Sequence, residues 1–497
     1  MNDKRAFWIA AAIVGAITLA RIAVLIVSPL NLYPDEAQYW SWSLALDWGY
    51  FSKPPFIAWL IRATTSICGD GEACIRIGSP LLHGATALVL YAIGKLLYDT
   101  RAGLWTAIVY ITTPGVSYSS GLISTDVPLL FFWAVALLAF LKAMRSKGRA
   151  SYGWAALCGV AIGLGLLSKY AMLYFVLGVA LTTLIVPESR RLILSWRGGL
   201  MALIAFFVFH PNLVWNLHHG FATVTHTANN ADWARGSLHL MGPFEFLLGQ
   251  FGVFGPVMMG GYLYALWRVM RGQDREANSR ILLCFSLPAL VIIVCQAAIA
   301  DANANWAAAA YIAATPLVVH ALMPFVRGLV LKASVAFNVL VMIAIMAFAA
   351  SPSLAAQAGF ANAYKRLLGW RGLGAAVVYE ASKGRYQAIV TDNRSLMASL
   401  LYYARPRDIP ILMWNRDEQV SNHFEMTSPL TPATSGRVLL ITDKTDASHV
   451  LATFKHSLRI GDFNADLGGG KKRTTHLYEA EGYGSDVSKR DESMPRR

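Results

Sequence analysis

The chain has 497 residues, 56% of them hydrophobic and only 14% charged, against about 25% charged in an ordinary soluble domain. That balance excludes a soluble globular protein and points to an integral membrane protein. The formal net charge of +14 has no aromatic–basic recognition module beside it, so it is weak evidence for nucleic acid and reads instead as a topology signal.

Residues 1–350 hold repeated apolar runs long enough to cross roughly 30 Å of hydrocarbon. Lipid offers the backbone no partners, so such runs must be helices or a closed barrel. Their continuous apolarity, without strict alternation, gives helices. Eleven spans are expected, at 7–30, 78–97, 103–120, 126–142, 152–167, 170–186, 199–214, 243–266, 281–299, 306–323 and 329–350. The first has a basic start, Lys4 and Arg5, but is long and lacks a small-residue cleavage site, so it reads as a retained helix. One set of loops carries 16 Lys and Arg; the alternate set carries 5, namely Lys53, Arg62, Arg76, Lys169 and Arg235. The rich side is cytoplasmic. The N-terminus is then cytoplasmic, and the loops 31–77 and 215–242 and everything after 350 face outward.

The first outward loop, NLYPDEAQYWSWSLALDWGYFSKPPFIA at 31–58, is the densest in chemistry. Tyr39, Trp40, Trp42 and Trp48 form an aromatic belt of the kind found where hydrocarbon meets headgroup. The i,i+4 pairs Trp40–Leu44 and Trp42–Leu46 predict a helix lying in the interface with its apolar face down, and a second interfacial segment covers Pro55–Ile67. Asp35 and Glu36 suit a general base or an oxocarbenium stabiliser at a sugar C1. Neighbours on a helix point about 100° apart, so the two have different roles. The structural alternative is a pair of helix-start acids behind Pro34. Lys53 stands on backbone stiffened by Pro54 and Pro55 and suits a phosphate as a point charge; otherwise it is a snorkelling lysine. Cys68 and Cys74 form a disulfide if this loop meets an oxidising compartment, a zinc pair being the lesser alternative.

Further along, Asp126 follows Ser124 and Thr125, either of which could cap the helix carrying Pro128. Lys169 lies between two apolar runs and is costly there unless paired; a lipid phosphate or Asp126 is its natural partner. His210, Asn212, Trp215 and Asn216 end a span, and His218, His219, His226, Asp232 and His239 follow. Their spacing matches no strong metal signature, so hydrogen bonding to and stacking on sugar is the better reading. Gln250 and Asn305 are candidates of the same kind. The spans hold almost no acids, which argues against an ion-coupled transporter.

The composition changes near 352. An amphipathic helix is expected over 356–383, strands at Tyr386–Thr391, Ile409–Trp414, Arg437–Thr442 and His476–Glu479, and helices at Arg394–Ala404 and Asp446–His456. Strands alternating with helices give a small α/β domain over 355–480, followed by a disordered tail, 481–497.

Taken together, YPDEAQYW (33–40), GYFSKPP (49–55), STDVP (124–128), LLSKY (166–170), HPNLVWN (210–216), GQ (249–250) and NWA (305–307) resemble the polyprenyl-phosphate-dependent glycosyltransferases of the GT-C fold. The closest branch is the aminoarabinose transferase and protein mannosyltransferase type, families 83 and 39. IVTDN (389–393) and LYY (401–403) extend the likeness more loosely into the tail domain. The resemblance implies an all-α polytopic bundle of about eleven spans with an extracytoplasmic α/β domain, in a bacterial inner membrane. It implies a monomer with membrane lipids, a polyprenyl-phosphate-linked sugar donor and a glycolipid acceptor such as lipid A as partners. By the same analogy the transfer is inverting; the sequence shows no acidic metal triad, so no cofactor or metal is expected to be required, a divalent metal being the unsupported alternative. Asp35 and Glu36 are then the catalytic acids, and Lys53, Lys169 and Tyr50 bind the donor phosphate. Asp126, His210, Asn212, Trp215, Asn216, Gln250 and Asn305 position sugar or acceptor. Phe51-Ser52-Lys53 departs from the aminoarabinose enzymes, which carry an acid before the lysine, and so loosens the case for that sugar. A lipid-linked sugar flippase, or a protein acceptor, is the competing reading.

Overall fold

The computed structural model describes residues 2–229, 239–405, 408–415 and 419–484. Asp232, Arg235 and the tail from 485 onward lie outside the described residues. The chain forms two compact units, one of Met1–Val27 with Leu46–Ala347, the other of Ser28–Ala45 with Phe348–Arg497. Ser28–Ala45, expected as part of the membrane domain's first loop, therefore groups with the C-terminal residues.

In the first unit every expected span coincides with a helix or a pair of helices. Among the described residues of the whole chain, seven helices are long and apolar enough to cross a membrane, or up to nine if two bent pairs each count once. Thr100–Thr112 and Ala310–Leu322 are shorter, at 13 residues each. The expected span 243–266 is not one straight helix. Gly242–Val253 and Pro256–Met270 meet at 117°, because Gly255 sits at φ +93° and Pro256 opens the next helix.

Small residues let the helices close on one another. A Cβ on Gly159 would stand 2.5 Å from the Met201 carbonyl oxygen, and one on Gly163 would stand 2.5 Å from Val208 Cβ. This G-x-x-x-G stripe on Gly148–Ser168 seats the backbone of Trp196–His218. Deeper in, Trp133, Phe140, Phe175 and Phe285 form a chain of rings with centroids 4.8–5.5 Å apart. Arg21 is buried as well. Its Nη2 donates to the Ile111 carbonyl at 2.6 Å and to Ser117 Oγ at 3.0 Å, closing the end of Thr100–Thr112 where Pro114 cannot continue the ladder.

The second unit is built on five strands: β1 (Ala388–Thr391), β2 (Ile411–Met413), β3 (Val438–Thr442), β4 (His456–Asp466) and β5 (Lys472–Glu481). Their order is β2-β1-β3-β5-β4, with β1 parallel to β2 and β3 and the β4–β5 hairpin antiparallel. The four expected strands are present, β5 longer than foreseen, and β4 is new. The expected helix Asp446–His456 shrinks to Ser448–Leu451, and His456 instead opens β4. The expected helix 356–383 is broken at Gly359 and Gly369, both at positive φ, and resumes as Trp370–Lys383.

Pro34–Leu44 is helical, as its pattern predicts, but it does not expose its aromatic face. Trp40 packs edge-on to Tyr402 at 4.9 Å and under the Arg405 guanidinium at 4.3 Å. Trp42 meets His423 at 5.3 Å. Both rings are buried, so the expected interfacial helix is a packed element of the second unit. A stripe of Tyr and Trp suits a protein partner as well as a headgroup layer. Phe56–Cys68 is a helix where the second interfacial segment was expected, and Cys68 is joined to Cys74 in a disulfide.

Candidate active site

In the first unit the charged residues come together at helix ends. Lys169 follows the last turn of Gly148–Ser168 in extended backbone (φ −162°, ψ 135°), and Asp126 opens Asp126–Arg145. Lys169 Nζ lies 2.7 Å from Asp126 Oδ1, with the two side chains 20% and 12% exposed. Asn305 Nδ2 donates to the other carboxylate oxygen, Oδ2, at 2.9 Å. The carboxylate thus has a partner on each oxygen, and the lysine is neither stray nor simply in water. Thr125, one of the two expected caps, makes no side-chain cap bond.

Next to it, Tyr170 Oη donates to Asn212 Oδ1 at 2.8 Å and accepts from Asn216 Nδ2 at 3.2 Å. Asn212 Nδ2 donates to the Trp48 carbonyl at 2.7 Å, Trp215 Nε1 to Asp47 Oδ2 at 2.7 Å, and Thr223 Oγ1 to the Tyr50 carbonyl at 2.6 Å. Residues 47–50 are therefore clasped to the end of Trp196–His218 and to the start of the next helix, Ala222–Asn229. The turn they start is closed by Tyr50 N–H on the Lys53 carbonyl at 3.1 Å. One network of hydrogen bonds thus reaches from the residue after Lys169 to the turn that carries Lys53. Tyr50 points its hydroxyl back at the Asp47 N–H, 3.1 Å away, and burial pushes its phenol up from the usual range. It braces the turn and does not offer an ionised oxygen. A Cβ on Gly49 would stand 2.4 Å from Trp215 Cε3 and 3.0 Å from Asn212 Nδ2. Gly49→Ala is expected to open the clasp at a cost of about 1–3 kcal/mol, typical of overpacking. A lower melting temperature with a red-shifted tryptophan emission checks this.

Two candidates stand apart. His210 is exposed, and its ring meets that of Phe206 at 5.5 Å. It lies on the face of its helix away from Asn212, Trp215 and Asn216, since two residues advance about 200°. Gln250 is buried, donating to the Phe246 and Ala304 carbonyls and accepting from Tyr311 Oη at 2.7 Å, so it ties helices together. Among the described residues no group of three or more His, Cys, Asp or Glu is gathered as metal ligands would be.

In the second unit the two adjacent acids face different partners. Glu36 is buried and its Oε2 accepts the Tyr33 N–H at 2.8 Å, closing the helix start. Asp35 is 40% exposed at its side chain and pairs through Oδ1 with Arg394 Nη1 at 2.8 Å. The structural reading of the pair thus describes Glu36, whereas Asp35 is the more exposed of the two and is held by an arginine.

The profile of dolichyl-phosphate-mannose-protein mannosyltransferases matches residues 52–215. The lipid A galacturonosyltransferase RgtD of Rhizobium johnstonii is 38% identical over 439 residues, 87% of this chain and 90% of that one. The chain belongs to the GT-C glycosyltransferases of the aminoarabinose-transferase type. An undecaprenyl phosphate-aminoarabinose arabinosyl transferase of Pseudomonas savastanoi is 27% identical over 38% of this glycosyltransferase and 39% of its own length. The crystal structure of ArnT from Cupriavidus metallidurans bound to undecaprenyl phosphate superposes at TM-score 0.68 and 16% identity, covering 95% of this chain and 98% of that one. The shared fold is a helical membrane bundle with a small C-terminal sheet.

Sequence reasoning on this glycosyltransferase passed over Asp47, Tyr170 and Arg394. Asp47 and Tyr170 were within quoted segments, and their signal is proximity: an acid between aromatic residues, and a phenol next to an isolated lysine. Arg394 had a weaker signal, as the residue after Asn393 at the carboxyl end of a predicted strand.

Proposed function

We propose that this glycosyltransferase moves a sugar from a polyprenyl-phosphate donor to a lipid A-type glycolipid at the outer face of a bacterial inner membrane, by single inverting displacement. The observation that carries the reading is the Lys169–Asp126–Asn305 cluster, bonded through Tyr170 and Asn212 to the turn bearing Lys53. Two lysines on a braced scaffold suit a phosphate that gains charge as the sugar leaves. Asp35 is the acid at the sugar's C1, serving as base for a hydroxyl acceptor and less needed for a phosphate acceptor, which is already ionised. Asn212, Trp215 and Asn216 position the polyprenyl-linked sugar. The reading takes the chain as a monomer with eleven crossings, the shorter helices Thr100–Thr112 and Ala310–Leu322 completing the count. Its N-terminus is cytoplasmic and its C-terminal unit periplasmic. The likeness to a lipid A galacturonosyltransferase over most of both chains favours a uronate as the sugar and lipid A as the acceptor.

The test is the purified full chain in nanodiscs with undecaprenyl-phosphate-linked galacturonate and lipid A. Mass spectrometry is expected to show one added hexuronate. Movement of the labelled donor across liposomes with no new glycosidic bond would replace the enzyme with a flippase. Lys53→Ala is expected to raise the donor KM by roughly 10- to 100-fold, the loss of one charge-assisted contact. An unchanged KM removes Lys53 from the phosphate site.

A further inference from the structure

In an open α/β sheet, ligands gather outside the carboxyl ends of the parallel strands. Here that edge carries Arg394, the first residue of helix Arg394–Tyr403, with two residues between it and the end of β1. Asn393 fixes its position, accepting the Ser395 and Leu396 N–H groups through Oδ1 and donating from Nδ2 to both Asp443 oxygens at 3.1 Å. Nη1 of Arg394 is shared between Asp35 Oδ1 at 2.8 Å and Gln38 Oε1. Nε and Nη2 make no hydrogen bond among the described residues, and 40% of the side chain is exposed. The Nε–Nη2 edge is one that pairs bidentately with a carboxylate. A bidentate hold on Asp35 would use that edge. Instead it touches Asp35 with one corner and leaves the fork open.

We propose that Arg394 is a specificity-determining residue, its open edge binding the carboxylate of a uronosyl group on the lipid-phosphate donor while Nη1 keeps Asp35 in place. The proposal rests on the reading of Asp35 as the acid at the sugar's C1. In a hexuronate ring, C1 and the carbon bearing the carboxylate flank the ring oxygen on either side. A guanidinium in contact with the C1 acid is therefore in reach of that carboxylate. A neutral hexose gives the fork nothing to bind, and an amino sugar brings a like charge to it.

The experiment compares two synthetic donors on the full chain in nanodiscs, undecaprenyl-phosphate-linked galacturonate and its galactose counterpart, which differ only in carboxylate against hydroxymethyl. The wild type is expected to favour galacturonate in kcat/KM. Arg394→Ala is expected to cut that preference by roughly 10- to 100-fold, mostly through the galacturonate KM; transfer from both donors also falls, because Asp35 loses its Nη1 partner, but galacturonate loses more. Arg394→Lys is expected to fall between them. The preference is a ratio within one preparation, so a partly unfolded variant does not distort it. A wild type that treats the donors alike, or a variant that loses both equally, overturns the proposal and leaves Arg394 as a support for Asp35. Asp35→Asn separates the two readings. Should it keep full turnover while Arg394→Ala still erases the preference, the C1 assignment fails and the uronate contact stands.

Discussion

Lys169→Ala is expected to lower sugar transfer by roughly 10²–10³-fold, the scale seen when one preorganised electrostatic contact is removed from a developing charge. The side chain is 20% exposed and bonded to a carboxylate that is itself 12% exposed, so the substitution also leaves Asp126 with Asn305 alone. Removing one partner of a fully buried pair costs about 3–5 kcal/mol; partial exposure here reduces the expected loss to about 1–3 kcal/mol. Activity and stability would then fall together, and the single variant does not say which matters. The double variant Asp126→Leu with Lys169→Met does. An apolar pair of similar volume removes the stranded charge, so the melting temperature is expected to return toward the wild type while transfer stays lost. Recovery of transfer in the double variant would show the pair to be a structural clamp with no part in phosphate binding.

Much of the membrane unit is written in hydropathy, because lipid forces each apolar run into a helix whatever its neighbours are. What hydropathy misses is direction. Residues 243–266 read as one continuous run, yet Gly255 and Pro256 turn the chain by 117°. A glycine in such a run is tolerated in a helix, and its positive φ is a tertiary outcome. In the second unit, β1, β2 and β3 are short apolar runs and were legible. β4 was not: its side chains are mostly exposed and Gly461 falls in its middle, so it carries no alternation to read. It exists because β5 is there to pair with it.

The site was legible where charge is conspicuous. Lys169 and Asp126 are isolated in apolar surroundings, and isolation alone predicts pairing. Asn305 could be named as a type but not as the group that fills the second carboxylate oxygen, 179 residues away in sequence. Arg394, 359 positions from Asp35, was out of reach for a physical reason as well. The Trp40 and Trp42 stripe fits a lipid interface and a protein interface equally, and only packing against Tyr402 and His423 decides between them. Once that helix is assigned to lipid, nothing in the sequence brings the C-terminal strands to Asp35.

Asp35→Asn carries the largest expected effect, a loss in kcat of roughly 10²–10⁴-fold, the contribution of a positioned general base. Asparagine keeps the shape and can still accept from Arg394 Nη1 through its amide oxygen, so the fold is expected to hold. It loses the charge that, in the proposed reading, draws a proton from an acceptor hydroxyl or stabilises positive charge at C1. Glu36→Gln, by contrast, still offers an oxygen to the Tyr33 N–H, and its expected change in kcat is less than about 3-fold, since the buried carboxylate closes a helix. The contrast between neighbours is the informative result. Equal losses would mean that the helix start has been damaged, and full activity in Asp35→Asn would move the chemistry elsewhere. The donor KM gives the finer division: a base lost from the acceptor side leaves KM for the polyprenyl-linked sugar near its wild-type value, whereas Lys53→Ala raises it.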